Sequence, residues 1–496
     1  MLWLVCDIIF SPRMYDNYLW NGWAYRTWQA LHGNFQRTGR QALKGNITST
    51  NKQIKLVEFY YGLMDPTFSY ETIENILYPV MFRKNIYYYD RFLDTFKAYT
   101  YTPDGCCLES FNTAIDIDND GRLEFFDLYT QKEIYDVKRT TDDWAETYRL
   151  KTFPSWCCRN AEPVVDRKSG RIFSIICPSL FGLVIFKVEI SHGRYTDTLL
   201  WSKVNNHRVT YVSLGDFNKD GFYEFVGPYA DSIVIYDING NKLYKINRGV
   251  SLLAGVLVDD INNDGELELV IPNDGAYAYR YDGTLLWEFH PNFYQISSAI
   301  TSADIDYDGI TEVIVVADSL YALNGLDGSK KWSAWIGGYP LEGQGAKLAD
   351  IDPTSPGMEI IVPTWYVNKG LWVFSSDGSL LWSEFEGLKV SGVAVGDIDM
   401  DGCSELLVGV NEGGYKLFKI DGQGRNCGSI LSVDELISDN DRSVISKDGY
   451  IRFNGDYKVY SVDGRLIKEG KGGSVKLPRG VYFYVSGREK GRVVIW

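Results

Sequence analysis

The sequence predicts an all-β fold, a β-propeller of four-stranded blades followed by a small C-terminal β-sandwich. Three observations predict it: an acidic loop pattern recurs along the chain, an apolar run follows each copy, and D-G or N-G turns separate later strands. Successive copies from the second onward begin 44 to 47 residues apart, and a period in the mid-forties indicates a repeat architecture. Four short antiparallel strands per repeat, arranged around a circle, form a propeller.

The acidic loops share the form D-x-[DN]-x-D-G-x-x-E. The five intact copies begin at Asp116, Asp216, Asp260, Asp304 and Asp397. A sixth copy begins at Asp350 and has a proline-containing insertion in place of the third aspartate and the tight glycine. Two eroded candidates lie near residues 65 and 166, at the spacing that the repeat requires. Together the copies indicate eight repeats.

Each repeat predicts four strands. The first precedes the acidic loop, and the apolar run after the loop supplies the second, such as Leu267–Ile271. A short aromatic strand, such as Tyr277–Tyr281, is the third. A D-G or N-G turn leads into a fourth strand that ends near an aromatic residue, such as Trp287. Glycine accepts positive φ, so these dipeptides between apolar runs are strong hairpin signals.

The last repeat lacks a fourth strand of its own. Its third strand ends near Lys416–Asp421, and no convincing strand follows. The segment Ile54–Tyr61 has the pattern of an outer strand but belongs to no repeat. We therefore predict that this N-terminal strand closes the last blade. Eight blades are favoured, and seven is the alternative if the region around Met64 is an insertion.

The acidic loops predict calcium sites. Oxygen ligands at loop positions 1, 3 and 5 with a glycine at position 6 match the start of an EF-hand loop, although here the closing glutamate comes at position 9. Ligand sets of oxygen alone favour Ca²⁺ over transition metals. In the copy at Asp304, the backbone carbonyl of Ile310 would add a ligand. The predicted side-chain ligands are Asp116, Asp118, Asp120, Glu124, Asp216, Asn218, Asp220, Glu224, Asp260, Asn262, Asp264, Glu268, Asp304, Asp306, Asp308, Glu312, Asp350, Asp352, Glu359, Asp397, Asp399, Asp401 and Glu405.

We expect about five Ca²⁺ ions with a structural role, because metal binding adds to folding free energy when the site exists only in the native state. The alternative is an acidic turn that binds nothing. The formal net charge is −15, of which about five divalent ions would offset about ten charges. The negative charge argues against nucleic acid as a partner.

Other sequence features narrow the class of protein. No run of about 18 apolar residues is present, so no transmembrane segment is predicted. The eight cysteines include the adjacent pairs Cys106–Cys107 and Cys157–Cys158 but no C-x-x-C, and there are four histidines. A zinc site is therefore not predicted, and the cysteines are either buried apolar side chains or disulfides of an oxidising compartment. The N-terminal segment is apolar without a basic region, which makes it a poor signal peptide.

The acidic loops resemble those of the FG-GAP or VCBS repeat family, the calcium-loop propeller blades also found in integrin α-chain heads and many bacterial surface proteins. Leu214–Ala230 comes nearest, although the phenylalanine-glycine and glycine-alanine-proline signatures are mostly absent. The segment Trp28–Gly39 is similar to the lead-in before such propellers. The resemblance implies a lead-in over residues 1–50 and a propeller over residues 51–430.

The C-terminal segment resembles the type A carboxy-terminal sorting domain of type IX secretion. The matching pieces include Asp463–Arg465, Leu477–Tyr482 and Val493–Ile495. The resemblance implies a small β-sandwich over residues 450–496, preceded by a polar linker over residues 431–449. It also implies export across the outer membrane, with the tail removed or used for attachment to the cell surface. The expected location is therefore extracellular, and the alternative is an accessory β-sandwich without a sorting role.

The sequence favours a non-enzymatic recognition or adhesion module for an extracellular glycan or protein. A propeller is a rigid disc with variable loops, and the 35 tyrosines and 14 tryptophans supply stacking groups. The alternatives are a polysaccharide-active enzyme that resembles rhamnogalacturonan lyases, or a quinoprotein-like dehydrogenase. An intracellular scaffold is disfavoured by the tail and the acidic loops. A lyase needs a base, and no compact constellation of His, Lys or Tyr is evident, so we identify no catalytic or cofactor-binding residue.

Overall fold

The computed structural model describes residues 40–41 and 44–59, the strands but not the connections of 68–204, residues 212–423, and the strands of 444–495. Within 212–423 the gaps are 221, 229–230, 250–254, 292–295, 297, 341–343, 400–402 and 413. The chain divides into two compact units, one of residues 8–428 and another that contains residues 429–496. The described residues form strands and connections, and none of them forms a helix that could span a membrane.

Among the described residues, the first unit contains eight sheets built on four antiparallel strands, which we number one to eight along the chain. Two strands precede them: β1 (Arg40–Gln41) and β2 (Gln53–Phe59). Sheets one to three contain β3 (Phe68–Ile73), β4 (Ile76–Phe82), β5 (Asn85–Asp90), β6 (Thr95–Tyr101), β7 (Phe111–Ile115), β8 (Glu124–Asp127), β9 (Glu133–Asp136), β10 (Glu146–Arg149), β11 (Glu162–Val165), β12 (Ile172–Ser179), β13 (Gly182–Ser191) and β14 (Arg194–Val204).

Sheets four to six contain β15 (Ser213–Gly215), β16 (Glu224–Pro228), β17 (Ile233–Tyr236), β18 (Lys242–Ile246), β19 (Leu257–Asp259), β20 (Glu268–Pro272), β21 (Ala276–Arg280), β22 (Leu285–Phe289), β23 (Thr301–Ala303), β24 (Glu312–Val316), β25 (Ser319–Asn324) and β26 (Lys330–Trp335). The remaining strands of the unit are β27 (Gly338–Tyr339), β28 (Lys347–Ala349), β29 (Glu359–Thr364), β30 (Tyr366–Val367), β31 (Gly370–Phe374), β32 (Leu380–Glu384), β33 (Lys389–Gly396), β34 (Glu405–Asn411) and β35 (Tyr415–Asp421). Among the described residues, β27 and β30 form a separate two-stranded sheet.

This arrangement confirms the predicted all-β propeller of four-stranded sheets. In sheets one to six the strands follow one another in chain order, each antiparallel to the next. Sheet seven has the same order with β28, β29, β31 and β32, and β1 adds to its edge in parallel. The number of blades in the ring stays a prediction.

The N-terminal strand completes sheet eight, as predicted. This sheet has the order β2-β35-β34-β33, and β2 pairs antiparallel with β35 from Gln53 opposite Asp421 to Phe59 opposite Lys416. The two ends of the repeat region are thereby joined by backbone hydrogen bonds. Closure of this kind removes exposed strand edges that would otherwise pair with other chains.

The core lies in the inner strands of the sheets. Every residue of the second strands β20 and β24 is buried, whereas the fourth strands β18 and β26 are mostly exposed. After the closing glutamate, β20 and β24 continue as apolar runs, as expected for strands that are covered on both faces. Buried residues of successive sheets pack together, as Ile235 of sheet four does in one cluster with Val258 of sheet five. Full burial of one such side chain contributes roughly 1.5–3 kcal/mol.

A β-bulge recurs in the fourth strand of sheet one and of sheets three to eight. In sheets three to seven the pairing skips the residue that directly precedes the aromatic residue of the strand. The skipped residues are Leu200, Leu243, Leu286, Lys331 and Leu381. A bulge leaves its extra residue unpaired and re-aims the side chain.

The aromatic residue after the bulge contacts the next sheet. Trp287 of sheet five donates an indole hydrogen bond of 2.7 Å to the carbonyl of Gly325 in sheet six. A Cβ atom on Gly328 would lie 2.8 Å from the Trp287 ring. The Trp201 ring meets Gly240 of sheet four in the same way. The D-G and N-G turns are thus both hairpin turns and platforms for the tryptophan of the preceding sheet.

The second unit contains one five-stranded sheet in its described part. Its strands are β36 (Val444–Ser446), β37 (Tyr450–Ser461), β38 (Leu466–Lys476), β39 (Gly480–Ser486) and β40 (Glu489–Ile495). Their order is β36-β40-β39-β37-β38, with β36 parallel to β40. The predicted division into linker and sorting-type domain stays a prediction.

Candidate metal-binding loops

Each acidic loop joins the first strand of a sheet to the second, as expected for this class of repeat. The closing glutamate is the first residue of the second strand in every copy whose strands are described: Glu124, Glu224, Glu268, Glu312, Glu359 and Glu405. It pairs with the residue directly before the first aspartate, as Glu312 does with Ala303. The closing carboxylate therefore lies beside the start of its own loop.

The loop of sheet five, residues 260–268, shows how the acidic side chains shape the turn. The carboxylate of Asp260 accepts hydrogen bonds from the backbone N–H groups of Asp264 and Gly265, at 3.0 and 2.9 Å. Oδ1 of Asn262 accepts one from Asp264 N, at 2.8 Å. Gly265 has φ 87°, a left-handed conformation that glycine adopts without strain. The pattern thus wraps the backbone around the side chains at positions 1, 3 and 5.

The closing glutamates share one backbone contact in all the copies of residues 216–405. One carboxylate oxygen accepts a hydrogen bond from the N–H of loop position 2. The donors are Phe217, Ile261, Ile305, Ile351 and Ile398. All five carboxyl groups are buried, with Glu268 and Glu312 at 0% exposure. One oxygen of each closing carboxylate is thus hydrogen-bonded to the backbone of its own loop.

Three buried carboxylate oxygens in these loops have no hydrogen-bond partner: Oε1 of Glu268, Oδ1 of Asp304 and Oε1 of Glu359. Burial, and then repulsion from Asp264 and Asp260, raises the pKa of Glu268 to about 8. Burying a carboxylate without a partner is costly, and proteins relieve that cost by pairing or by metal coordination. The residues therefore fit a divalent cation with hard oxygen ligands.

The loop of sheet six, residues 304–312, brings three predicted ligands together. One carboxylate oxygen each of Asp304, Asp306 and Glu312 lies within 4.8 Å of the others. The ammonium of Lys331 lies among the acids, 2.9 Å from Asp306, 3.2 Å from Asp308 and 2.7 Å from Glu312. Burial raises the pKa of Glu312 to about 7, even though the lysine lowers it.

The loop of sheet eight has the same convergence. Oxygens of Asp397, Asp399 and Glu405 lie within 4.8 Å of one another. The ammonium of Lys419, on β35, lies 2.9 Å from Asp399 and 3.3 Å from Asp421. Two of the described loops therefore have a lysine of their own sheet close to the acids.

In the loop of sheet four, residues 216–224, a side-chain amide binds two of the acids. The side-chain amide of Asn218 donates to Glu224 Oε1 at 2.9 Å and to Asp220 Oδ2 at 3.2 Å. Burial is the main cause that raises the pKa of Glu224 to about 7. Asp216, at loop position 1, is also buried. This loop brings together Asn218, Asp220 and Glu224, which are three of its four predicted ligands.

The degenerate loop of sheet seven is organised differently. Asp350 is 2.7 Å from the ammonium of Lys44 and accepts a hydrogen bond of 2.9 Å from the hydroxyl of Tyr307. Asp352 accepts hydrogen bonds from the backbone and the hydroxyl of Thr354, at 2.9 and 2.6 Å. The backbone of Asp352 in turn donates to Glu359 at 2.8 Å. Asp350 and Asp352 thus have partners within the chain, whereas the buried Oε1 of Glu359 has no hydrogen-bond partner.

Some predicted ligands fall outside the described residues. These are Asp116, Asp118, Asp120 and Asp401, together with the side chain of Glu124; the eroded copies near residues 65 and 166 fall outside them as well. The basic residues Lys331, Lys419 and Lys44 were not predicted as neighbours of the loops. A sequence signal existed for Lys331, since SKKW stands where the repeats at Trp287 and Trp382 have TLLW and SLLW.

Comparison with known proteins gives limited similarity. No family model matches the chain. The chain is 30% identical over 129 residues to lambda-carrageenases of a Pseudoalteromonas species and of Pseudoalteromonas carrageenovora. The match covers 26% of this chain and 13% of each carrageenase, so the chain matches only a small part of these curated relatives.

Solved structures are similar at low sequence identity. BBS1N in complex with ARL6DN, soaked with mercury, is 13% identical with a TM-score of 0.43, over 64% of this chain and 93% of that one. Sqt1 of Chaetomium thermophilum, bound to the N-terminus of ribosomal protein L10, is 12% identical with a TM-score of 0.48, over 75% of this chain and 100% of that one.

Proposed function

We propose that the chain is a calcium-stabilised extracellular β-propeller that recognises a glycan. The observation that carries the calcium part is the convergence of loop positions 1, 3 and 9 in two loops, where oxygens of Asp304, Asp306 and Glu312, and of Asp397, Asp399 and Glu405, lie within 4.8 Å of one another. In the loop of residues 260–268, the buried Oε1 of Glu268 has no hydrogen-bond partner, and a bound cation would offset the cost of burying it. A bound Ca²⁺ would supply positive charge to these oxygens and hold the turn in its folded geometry.

An extracellular location agrees with three features. Calcium loops of moderate affinity are filled outside cells, where Ca²⁺ is abundant. Cys403, at position 7 of the loop of sheet eight, belongs to a disulfide. Disulfides persist in oxidising environments such as the periplasm and the cell exterior. The sorting-like tail suggests the same destination, with release or attachment at the outer surface.

A glycan is the favoured ligand because of a surface beside β27 and β30, which we call the aromatic ribbon (Trp335, Gly337, Gly338, Tyr366 and Val367). Trp335, Tyr366 and Val367 are 77%, 43% and 72% exposed. A Cβ atom on Gly337 would lie 2.5 Å from the Trp335 ring, so the ring rests on the Gly337 backbone. A rigidly supported, exposed indole is suited to stacking on a sugar ring.

The backbone of the aromatic ribbon is strained. Val367 has φ 58°, which is unusual for a β-branched residue. The Asn368 amide secures the turn by donating to the carbonyl of Ile336 at 2.8 Å. Strained backbone held by its surroundings is common at binding sites. The similarity to lambda-carrageenases supports a polysaccharide as the ligand class.

The test is a binding assay of the purified chain with carrageenans and pectic polysaccharides, by affinity electrophoresis in the presence of calcium. We expect one polysaccharide class to retard the chain and Trp335→Ala to weaken binding on the order of tenfold or more. Leu380→Ala is the matched control, because Leu380 is 52% exposed but lies in sheet seven away from β27 and β30. Binding that survives Trp335→Ala would exclude the aromatic ribbon as the site.

The second candidate is a polysaccharide-cleaving enzyme, favoured by the carrageenase similarity alone. Incubation of the chain with each polysaccharide that it binds, followed by measurement of product size, separates the two. Shortened polysaccharide would establish the enzyme, and intact polysaccharide supports recognition. A quinone absorbance of the purified protein would point instead to the quinoprotein-like dehydrogenase.

A further inference from the structure

The strongest feature outside the proposed ligand set is the position of Lys331. Its ammonium donates hydrogen bonds to Asp306, Asp308 and Glu312, at 2.9, 3.2 and 2.7 Å. These are the acids at loop positions 3, 5 and 9. An ammonium group has three donors, and here each one meets a different carboxylate. The lysine thus occupies the place among the acids where the ion of an EF-hand-like loop would be expected.

The β-bulge of β26 explains how the lysine reaches the loop. Ala322 pairs with Trp332 and Leu323 pairs with Lys330, so Lys331 is the skipped residue. The skipped residue in the equivalent bulges of sheets three, four, five and seven is a leucine: Leu200, Leu243, Leu286 and Leu381. In sheets one and eight the fourth strand also skips one residue, Tyr99 and Val57. Lysine is therefore the exception among the seven sheets in which a bulge of the fourth strand is described.

The loop of sheet five provides the internal comparison. Leu286 takes the bulge position there and packs against the hydrophobic core. The basic residue of that loop is Arg280, which is 2.8 Å from Asp264 and has a side chain that is 45% exposed. Oε1 of the buried Glu268 has no hydrogen-bond partner, whereas Oε1 of Glu312 accepts from Lys331. Among the described residues, the predicted ligand acids of the loop 260–268 thus have no ammonium group bound to them, whereas those of the loop 304–312 have the ammonium of Lys331.

We propose that Lys331 is a built-in cation of the loop 304–312 and takes the place that a divalent ion takes in the loop 260–268. The inference rests on the proposed calcium binding and refines it. For Ca²⁺ to enter the loop 304–312, the ammonium must leave three carboxylates and return to water. This loop therefore binds Ca²⁺ more weakly than its intact motif predicts, and the number of tight sites is smaller than the number of intact loops.

The test is a calorimetric titration of the full chain with CaCl₂ in three forms: wild type, Lys331→Leu and Leu286→Lys. Lys331→Leu installs the residue that the other sheets use, and Leu286→Lys is the reciprocal change. We expect Lys331→Leu to gain one tight site relative to wild type and Leu286→Lys to lose one. The change in affinity at each loop should be on the order of tenfold or more, which corresponds to about 1.4 kcal/mol.

A loop-specific control assigns the gained site. Adding Asp304→Asn to Lys331→Leu removes the ligand at position 1, and the gained site should disappear. Melting temperatures in chelator report on folding, and there Lys331→Leu should be less stable than wild type because its acids lack their cation. An unchanged number and affinity of sites in both single variants would overturn the role of Lys331 while calcium binding stands. Absence of calcium binding in every form would overturn the calcium proposal as well.

Discussion

The hydroxyl of Tyr307, in the loop of sheet six, donates a 2.9 Å hydrogen bond to Oδ2 of Asp350, in the loop of sheet seven. Tyr307 is at loop position 4 and has φ 60°, so the left-handed turn aims its side chain at the next loop. Lys44 contacts the same carboxylate oxygen at 2.7 Å. The degenerate loop thus depends on the loop before it and on the N-terminal segment.

Tyr307→Phe should therefore destabilise the protein. It removes the hydrogen bond and leaves Lys44 as the charged partner of Asp350. A hydrogen bond to a charged group contributes roughly 1.5–3 kcal/mol, and we expect a loss near the lower end because the lysine remains. Urea unfolding measures the loss, with Tyr366→Phe on the exposed aromatic ribbon as the control. Equal stability of the two variants would contradict the role given to Tyr307.

The contact between tryptophan and turn glycine can be tested with two glycines of the same type. Gly328 has φ 71°, and a Cβ atom there would lie 2.8 Å from the Trp287 ring. Gly283 has φ 93°, but its nearest neighbour would be 3.8 Å away. Both alanine variants incur the left-handed strain of about 1–2 kcal/mol. Only Gly328→Ala must also displace the ring, so its loss in unfolding free energy should be larger by about 1–2 kcal/mol.

Calcium should remove a pH dependence of stability that the protein has in chelator. Without metal, burial raises the pKa of Glu268 to about 8 and those of Glu224 and Glu312 to about 7, above the ordinary value of 4.5. The folded state then binds more protons than the unfolded state, so stability falls as pH rises from about 4.5 to about 8. Bound Ca²⁺ requires the ionised carboxylates and should remove this fall. Chemical unfolding across this range in chelator and in calcium measures both slopes, and a stability that rises with pH in chelator would contradict the account.

Glu268→Gln separates the metal from the fold. In chelator at neutral pH the Glu268 carboxyl is largely protonated, since its pKa is about 8, and the amide should change stability little. In calcium the variant should lose the stabilisation that its loop provides. Glu266→Gln is the matched control, because Glu266 is exposed in the same loop and pairs with Lys219. If Glu268→Gln keeps the full calcium response, this loop is not a calcium site.

Much of the fold could be predicted because each repeat can be compared with the other repeats of the same chain. The period located the loops between the first and second strands, and the missing fourth strand of the last repeat identified Gln53–Phe59 as its substitute. Contacts between sheets were harder to predict from the sequence. The ring of Trp287 packs on Gly328 of the next sheet, and a pattern within one repeat does not indicate which groups of the next repeat it touches.

The basic neighbours of the loops could not be predicted from the loops alone. Lys331 follows Glu312 by 19 residues, lies at the bulge of β26 and donates a hydrogen bond to Glu312. Lys44 is far from Asp350 in sequence, and β1 positions it by pairing with the edge of sheet seven. The motif therefore predicts which oxygens converge, whereas the surrounding strands decide which cation meets them.

The most direct test of the calcium account is the melting temperature of the full chain in excess calcium and in chelator. Each site filled at a thousand times its dissociation constant stabilises the folded state by about 4 kcal/mol. The account predicts a large rise in melting temperature with calcium, smaller in Glu268→Gln and larger in Lys331→Leu. Equal melting temperatures of the wild-type chain in calcium and in chelator would contradict it, because the acidic loops would then fold without the ion.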